Sequence, residues 1–570
     1  MDYTNHKKPM KQILIFIAAA LILLSNKAHS INPERLSAKI DSVVSKYVKQ
    51  GEPGGVIGVV TSKGVLFKKA YGLMNLEYNL QNTDSSRFNL ASMSKQFTAF
   101  AILQLEKEKK INLDDDVHAY LPDLPAYSSK VTVRHLLHHT SGIASTDNLR
   151  LFAGLSIESP WNADGEYNMI KRYDRLNFKP NDEHLYSNAG YFLLAKIVEK
   201  VSGLGFAEYM KANVFVPMRM NNALIYNLQG KPVANKADGY GKTGNDFVQK
   251  FSGLTSTYGS TNVYASLNDM LEWSRNFLSP KPNDQSIVKR FEYPEDKLNN
   301  GDTISYTYGM YTWRYKGLKI VEHSGYTPGY TTQIMIFPEN DLAVFVLFNN
   351  DAVNRWEIIT SIVDWCLADK LVAEVKKERK EIKLNSEILK KYAGKYQMPD
   401  GMQLSFSLEK DTFWLMIPDA PKFQLFAESE TEMFLKAFDA QCSFVHDKTG
   451  DVNEIVWHQG TDNLKCIKIK SAKPLTNSEL VAFIGKYYNS ALDVEYPVIF
   501  KDDQLSIILP KPLSAFLNTN QDLTLKHMDG DKFFSLNLGM VEFMRDKNKA
   551  VCGFKFVDTF RVRNIEFQKR

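Results

Sequence analysis

The stretch Ser92-Met-Ser-Lys-Gln-Phe-Thr-Ala-Phe-Ala-Ile-Leu-Gln-Leu105 decides the fold. Its apolar run (Phe97, Phe100, Ala101, Leu103, Leu105) reads as a buried helix, with the polar residues gathered at its start. A serine and a lysine three positions apart share one helix face, so Lys95 carries its amine beside the Ser92 hydroxyl. The N–H groups at a helix start also favour an anionic oxygen nearby. A nucleophile, a proton acceptor and part of an oxyanion hole can thus come from one turn, which is the equipment for acyl transfer through a serine ester.

Outward from this turn, the flanks supply a sheet. Pro33 to Gln50 has the period of an amphipathic helix (Leu36, Ile40, Val43, Val44, Tyr47). Two strand patterns, Gly55–Val60 and Val65–Tyr71, are joined by the turn Ser-Lys-Gly. A largely helical region runs to about residue 280, marked by Val133-Arg-His-Leu-Leu-His-His-Thr-Ser-Gly142. Strand patterns return at Leu318–Glu322, Thr331–Phe337 and Leu342–Phe348, and a helix from about Asn354 to Val372 closes the region. The two ends must meet in one antiparallel sheet flanked by helices, with a helical insert. This is an α+β domain, placed at residues 31–373.

A charged stretch at 374–385 reads as a linker, and short alternating strands with Gly, Asp and Asn turns follow it. Leu389-Lys-Lys-Tyr-Ala-Gly-Lys-Tyr396 is repeated as Leu480-Val-Ala-Phe-Ile-Gly-Lys-Tyr487, an offset of 91 residues. Two small antiparallel, lipocalin-like β-barrels are expected, at 386–472 and 473–570. Their aromatics (Tyr392, Tyr396, Phe406, Trp414, Phe483, Tyr487) are assigned to barrel cores. Cys442 and Cys466 fall on the first and third strands of a meander, about 9.6 Å apart and beyond disulfide reach. Cys366, Cys442, Cys466 and Cys552 are therefore expected as free thiols.

The whole chain has 570 residues, 44% of them apolar, with 70 basic and 65 acidic side chains interspersed. No basic stripe argues for nucleic acid. Lys7, Lys8 and Lys11 precede the apolar run Ile13–Leu24 and then Ala28-His-Ser30, the pattern of a secretory leader cut after Ser30. Twelve apolar residues fall short of the roughly 20 that span a bilayer, so no stable membrane insertion is expected after cleavage, and the mature protein is expected to be exported, to the periplasm or the medium.

A lone Ser-x-x-Lys carries little weight. Ser286–Lys289 and Ser407–Lys410 share the spacing, but neither opens an apolar helix. Of three Tyr-x-Asn triplets, only Tyr186-Ser-Asn188 lies between the halves of the sheet and opens an apolar helix, Tyr191–Val198. A third element needs a strand edge with a cation or histidine, a hydroxyl and a glycine. Lys448-Thr-Gly450 sits in a hairpin turn and Lys242-Thr-Gly244 in a polar segment without strand flanks. His323-Ser-Gly325 ends a strand pattern and is chosen. His135, His138 and His139 sit on different faces of a short helix and do not have metal-ligand spacing; neither a metal nor a cofactor is implied.

These three elements in this order resemble the penicillin-recognising serine hydrolases: class C β-lactamases, D,D-peptidases, related esterases and D-aminopeptidases. The likeness covers about residues 33–370, including Phe88–Ala99 and Arg134-His-Leu-Leu137, and the two trailing barrels make the layout most similar to D-aminopeptidases. The resemblance implies that Ser92 attacks a carbonyl while Lys95 and Tyr186 share the proton transfers, the choice of base being open. It implies that Asn188 holds the substrate amide and that the strand with His323 and Gly325 pairs with the substrate. The N–H groups of Ser92 and Tyr326 would form the oxyanion hole, with Ser94 structural. Histidine at 323 departs from the lysine usual in true β-lactamases and looks more like the esterases and aminopeptidases. The expected substrate is a small peptide, amide or ester, including D-amino-acid peptides. An esterase, a weak β-lactamase and a ligand-binding protein acylated without turnover are the alternatives, and oligomeric state is open.

Overall fold

The computed structural model describes residues 33–570, apart from 228–229, 254–256, 295, 373–378, 400, 418–419, 460–461 and 470–474. The expected leader and the first half of the expected linker lie outside the described residues.

Six antiparallel strands form the central sheet. In chain order they are β1 (Gly55–Thr61), β2 (Gly64–Tyr71), β3 (Tyr311–Tyr315), β4 (Leu318–Thr327), β5 (Tyr330–Phe337) and β6 (Leu342–Phe348). Their spatial order is β3-β4-β5-β6-β1-β2, so the N-terminal hairpin docks on the C-terminal strands through Gly55↔Phe348 and Val59↔Val344. The alternation of β1 explains the two faces. Ile57 and Val59 pack beneath helix α1 (Pro33–Val44) and the helix Arg355–Cys366. Val56 and Val60 face the helical insert, with α2 (Lys95–Lys107) and α3 (Asn188–Ser202) at its centre. Helix α2 is apolar nearly all round and is buried accordingly.

Four details differ from the sequence expectation. The edge strand β3 is missing from the periodicity reading because its residues are half exposed and mix Thr, Trp and Arg. Helix α1 stops at Val44 and the closing helix at Cys366, both shorter than expected. Strand β4 runs on through His323 and Gly325 to Thr327 instead of ending there, because Tyr326↔Thr331 and Thr327↔Tyr330 continue the ladder into a tight turn. Lys242 does have strand flanks, since Tyr240–Thr243 pairs with Asp246–Gln249.

Beyond the linker stand two closed eight-stranded barrels. The first closes by Lys395↔Ile469 and the second by Tyr487↔Lys569. The repeat is visible atom by atom. The Tyr396 hydroxyl donates to the Tyr392 carbonyl at 3.0 Å, and the Tyr487 hydroxyl donates to the Phe483 carbonyl at 2.6 Å. Five of the six barrel aromatics are buried, whereas Trp414 is not: its neighbours Phe413 and Leu415 take the inward positions and period-2 alternation turns it out. Cys442 faces Trp457 and Cys466 faces Ile455 across the same intervening strand, and none of the four cysteines is in a disulfide.

The second barrel is docked on the sheet domain. The helix Thr146–Phe152 pushes Phe152 into the barrel's core beside Phe556, with ring centroids 5.3 Å apart. The Tyr496 hydroxyl donates to the Phe152 carbonyl at 2.9 Å. Asn177 clamps the barrel's last hairpin at two points, donating to the Arg561 carbonyl at 3.1 Å and accepting from the Arg563 N–H at 2.9 Å.

Candidate active site

Ser92 lies in a single 3₁₀ turn, Ala91–Ser94, that leads directly into α2. Ala91, just before it, holds φ at 48°, the left-handed region that costs an L-residue about 1 kcal/mol or more. Asn89 accepts the Ala91 N–H at 2.8 Å and donates to Asn262 at 3.0 Å, which fixes this bend. The bend leaves Ser92 partly exposed while Ala91, Met93, Ser94 and Lys95 are buried. Ser94 points away and accepts the Val263 N–H at 3.0 Å, a structural role as expected.

Lys95 is fully buried. Its Nζ lies 3.3 Å from Ser92 Oγ and 2.8 Å from the Ser260 carbonyl oxygen. Burial drives its pKa well below the usual lysine value; Asp147 and Glu166 oppose this and the Arg561 guanidinium assists it. The rings of Tyr186 and Tyr191, centred 4.7 and 5.7 Å from Nζ, favour the cation by only about 0.5–2 kcal/mol. A neutral amine in this position can donate to Ser260 and turn its lone pair to the Ser92 hydroxyl.

Tyr186 comes to the same point from the loop before α3. Its hydroxyl is buried and has no hydrogen-bond partner among the described residues. Burial holds its pKa far above the usual phenol value, and the nearby Ser92 hydroxyl offsets only part of this. Asn188, the first residue of α3, donates its amide to Asp147 and leaves its buried Oδ1 unpartnered.

Strand β4 lies against the nucleophile turn. A Cβ at Gly325 would overlap the Leu90 carbonyl oxygen and the Thr332 hydroxyl and crowd Ala91, so only glycine lets the strand approach. Strand β3 pairs with β4 only as far as Glu322. From His323 onward that edge of β4 has no strand paired to it among the described residues, and the Tyr326 side chain beside it is 61% exposed.

His323 is turned inward. Its Nδ1 donates to the Ser324 carbonyl at 2.5 Å, which leaves Nε2 to accept the Tyr306 hydroxyl at 3.1 Å. Burial and the charge of Lys95 press its pKa down to about 3, so the ring is neutral and both nitrogens are occupied by the protein.

The three histidines of the 135–139 segment go to three places. His135 completes a capping box with Thr132, His138 faces Asp296 and the Tyr306 carbonyl, and only His139 joins the site. His139 accepts the Ser187 N–H at 3.1 Å and lies against Tyr186 and Tyr306, with centroids 4.2 and 4.5 Å away. From the sequence alone, His139 has no assigned role. Asp147, Tyr306, Ser260 and Arg561 also line or bias the site, and their spacing in the sequence gives no signal for it. Arg561 arrives from the second barrel, its guanidinium 4.6 Å from the centre of the Tyr186 ring.

An antiparallel sheet with a serine-bearing helix start at its face, a buried lysine one turn on and a glycine-bearing strand edge beside it is a beta-lactamase and penicillin-binding-protein-like fold. Residues 40–358 match the beta-lactamase family, and the chain belongs to this family of serine hydrolases. Residues 378–467, the first barrel, match a domain of unknown function (DUF3471). Penicillin-binding protein 4* of Bacillus subtilis is 27% identical over 438 residues, 72% of this chain and 93% of that protein. The D-aminopeptidase of Gluconobacter oxydans is 26% identical over 56% of this chain, and the match spans only 60% of its own length. The octameric penicillin-binding protein homologue from Pyrococcus abyssi shares the fold at a TM-score of 0.52 and 23% identity, over 76% of this chain and 99% of that one.

Proposed function

We propose that the protein hydrolyses small peptides, amides or esters through an acyl-enzyme on Ser92. One observation carries this reading: a lysine amine sealed from water, 3.3 Å from the hydroxyl of a partly exposed serine. Burial moves two neighbouring groups toward neutrality, the Lys95 amine by lowering its pKa and the Tyr186 phenol by raising its own. In this reading the amine takes the Ser92 proton as Oγ attacks. The phenol, protonated and without a competing partner, passes a proton to the leaving group. The Ser92 and Tyr326 N–H groups receive the oxyanion, the Asn188 amide and the free edge of β4 hold the substrate backbone, and His323 braces Tyr306 behind them. Water then attacks the ester by the reverse path.

The D-aminopeptidase among the similar proteins supports D-configured substrates. The test is hydrolysis of D-alanine p-nitroanilide by the wild type and Ser92→Ala. Turnover that disappears in the variant supports both nucleophile and substrate class. A wild type inert to the anilide, to a chromogenic ester and to a cephalosporin overturns the reading. Export is proposed on the leader pattern alone; a mature N-terminus at Ile31 would support it.

A further inference from the structure

Arg561 occupies the turn of the hairpin Val551–Thr559 and Val562–Lys569, on the second barrel. Two residues further on, Arg563 is neutralised by Glu183 and Asp558. Arg561 has no ion-pair partner among the described residues; its guanidinium lies 4.6 Å from the centre of the Tyr186 ring. Its charge nevertheless bears on four groups of the site, disfavouring protonation of Lys95 and His139 and favouring ionisation of Tyr186 and Tyr311. The turn does not float, because Asn177 holds the backbone on both sides of Val562. Every other base converging on Ser92 is neutral or disposed to be so: Lys95, His139 and His323 are all buried. Among the described residues the site thus presents an exposed, permanent, forked cation with no ion-pair partner, the carboxylate of Asp147 being bonded to Asn188.

We propose that Arg561 is the specificity residue of the site and binds the free carboxylate of a short acyl-peptide whose reacting carbonyl lies over Ser92. A carboxylate is the anion that matches a guanidinium fork, and a ligand lying across Tyr186 presents it within a few bonds of the reacting carbonyl. This rests on the reading of Ser92 as nucleophile, and it narrows the substrates to those bearing a carboxylate. The catalytic domain supplies the chemistry and the second barrel supplies the charge.

The experiment separates the two claims by measuring binding without turnover. Full-length Ser92→Ala is titrated calorimetrically with N-acetyl-alanyl-alanine, in L,L and D,D forms, and with the matching C-terminal amides. The acid is expected to bind about tenfold to a hundredfold tighter than the amide, the span of a charge-assisted hydrogen-bonded pair. Adding Arg561→Ala brings that ratio close to one, and Arg561→Lys retains part of it. Circular dichroism and melting of each variant show that the barrel is still folded. Equal affinity for acid and amide, no measurable binding of either, or a ratio indifferent to Arg561→Ala overturns the proposal. Ser92-dependent turnover with a ratio of one removes the anchor alone; an inert wild type whose ratio depends on Arg561 removes the hydrolase reading alone.

Discussion

Asp147 and Phe152 stand near opposite ends of one seven-residue helix, the first bonded to Asn188 beside the nucleophile and the second sealed in the core of the second barrel. The helix is too short to bend between them, so the barrel and the cleft share a rigid part.

Phe152→Ala should therefore damage both. Emptying a fully buried phenylalanine site costs about 3–5 kcal/mol. The loss is expected in the unfolding of the second barrel, with a fall in kcat/KM although no group that touches substrate has changed. Unfolding followed by near-ultraviolet circular dichroism, alongside kinetics, checks it. Full activity in a destabilised barrel would show that the two ends are uncoupled.

Asp147→Asn tests the electrostatics of the lysine. The carboxylate raises the Lys95 pKa, so its removal lowers that pKa further and enlarges the neutral fraction on the acid side. The acid limb of the kcat/KM profile should move to lower pH. Arg561→Ala removes a charge of the other sign and should move the limb to higher pH. A limb that stays in place in both variants would mean that another group titrates there.

Gly325→Ala addresses the contact between β4 and the nucleophile turn. The added methyl meets backbone at Leu90, which cannot yield without moving Ala91 and Ser92. Overpacking of this kind costs about 1–3 kcal/mol. Activity should fall by more than tenfold while the melting transition moves only a few degrees. Near-normal turnover would show that the strand can retreat freely.

The neutral histidines predict sensitivity to acid. His323 is held at about 3 and His184 and His135 at about 4, against about 6.5 in an unfolded chain. Between those values the unfolded chain binds more protons, so their contribution to stability is intact above pH 6.5 and is lost as pH falls toward 4 and below. His323→Gln keeps an acceptor for the Tyr306 hydroxyl and cannot be protonated. Its melting temperature should decline less steeply than the wild type's from pH 7 to 4. Parallel curves would remove His323 from this account.

Ser92 and Lys95 were legible because their relation is local: one helix turn fixes it, and an apolar run announces the helix. Tyr186-Ser-Asn188 was legible because it opens a second apolar helix at the right place in the chain. His323 and Gly325 were found on a strand whose end was misplaced, since an alternating pattern shows where a strand is but not where its ladder stops. Ala91 carries no trace of its left-handed backbone, which Asn89 and Asn262 impose from outside. Trp414 was misread because aromatic identity was weighed above the two-residue period. Arg561 was invisible for a different reason: barrel closure and the wedge of Phe152 bring that turn to Tyr186, and neither is a property of neighbouring residues.

The repeated barrel has an evolutionary consequence. A closed barrel satisfies its own backbone hydrogen bonds, so the tip of its last hairpin is under little obligation to the fold. The second barrel's hairpin tip packs Phe560 against Phe152 and lays Arg561 over the Tyr186 ring. On the role proposed for Arg561, selection can change the preferred substrate by exchanging one residue on an add-on module, and leave Ser92, Lys95 and Tyr186 untouched.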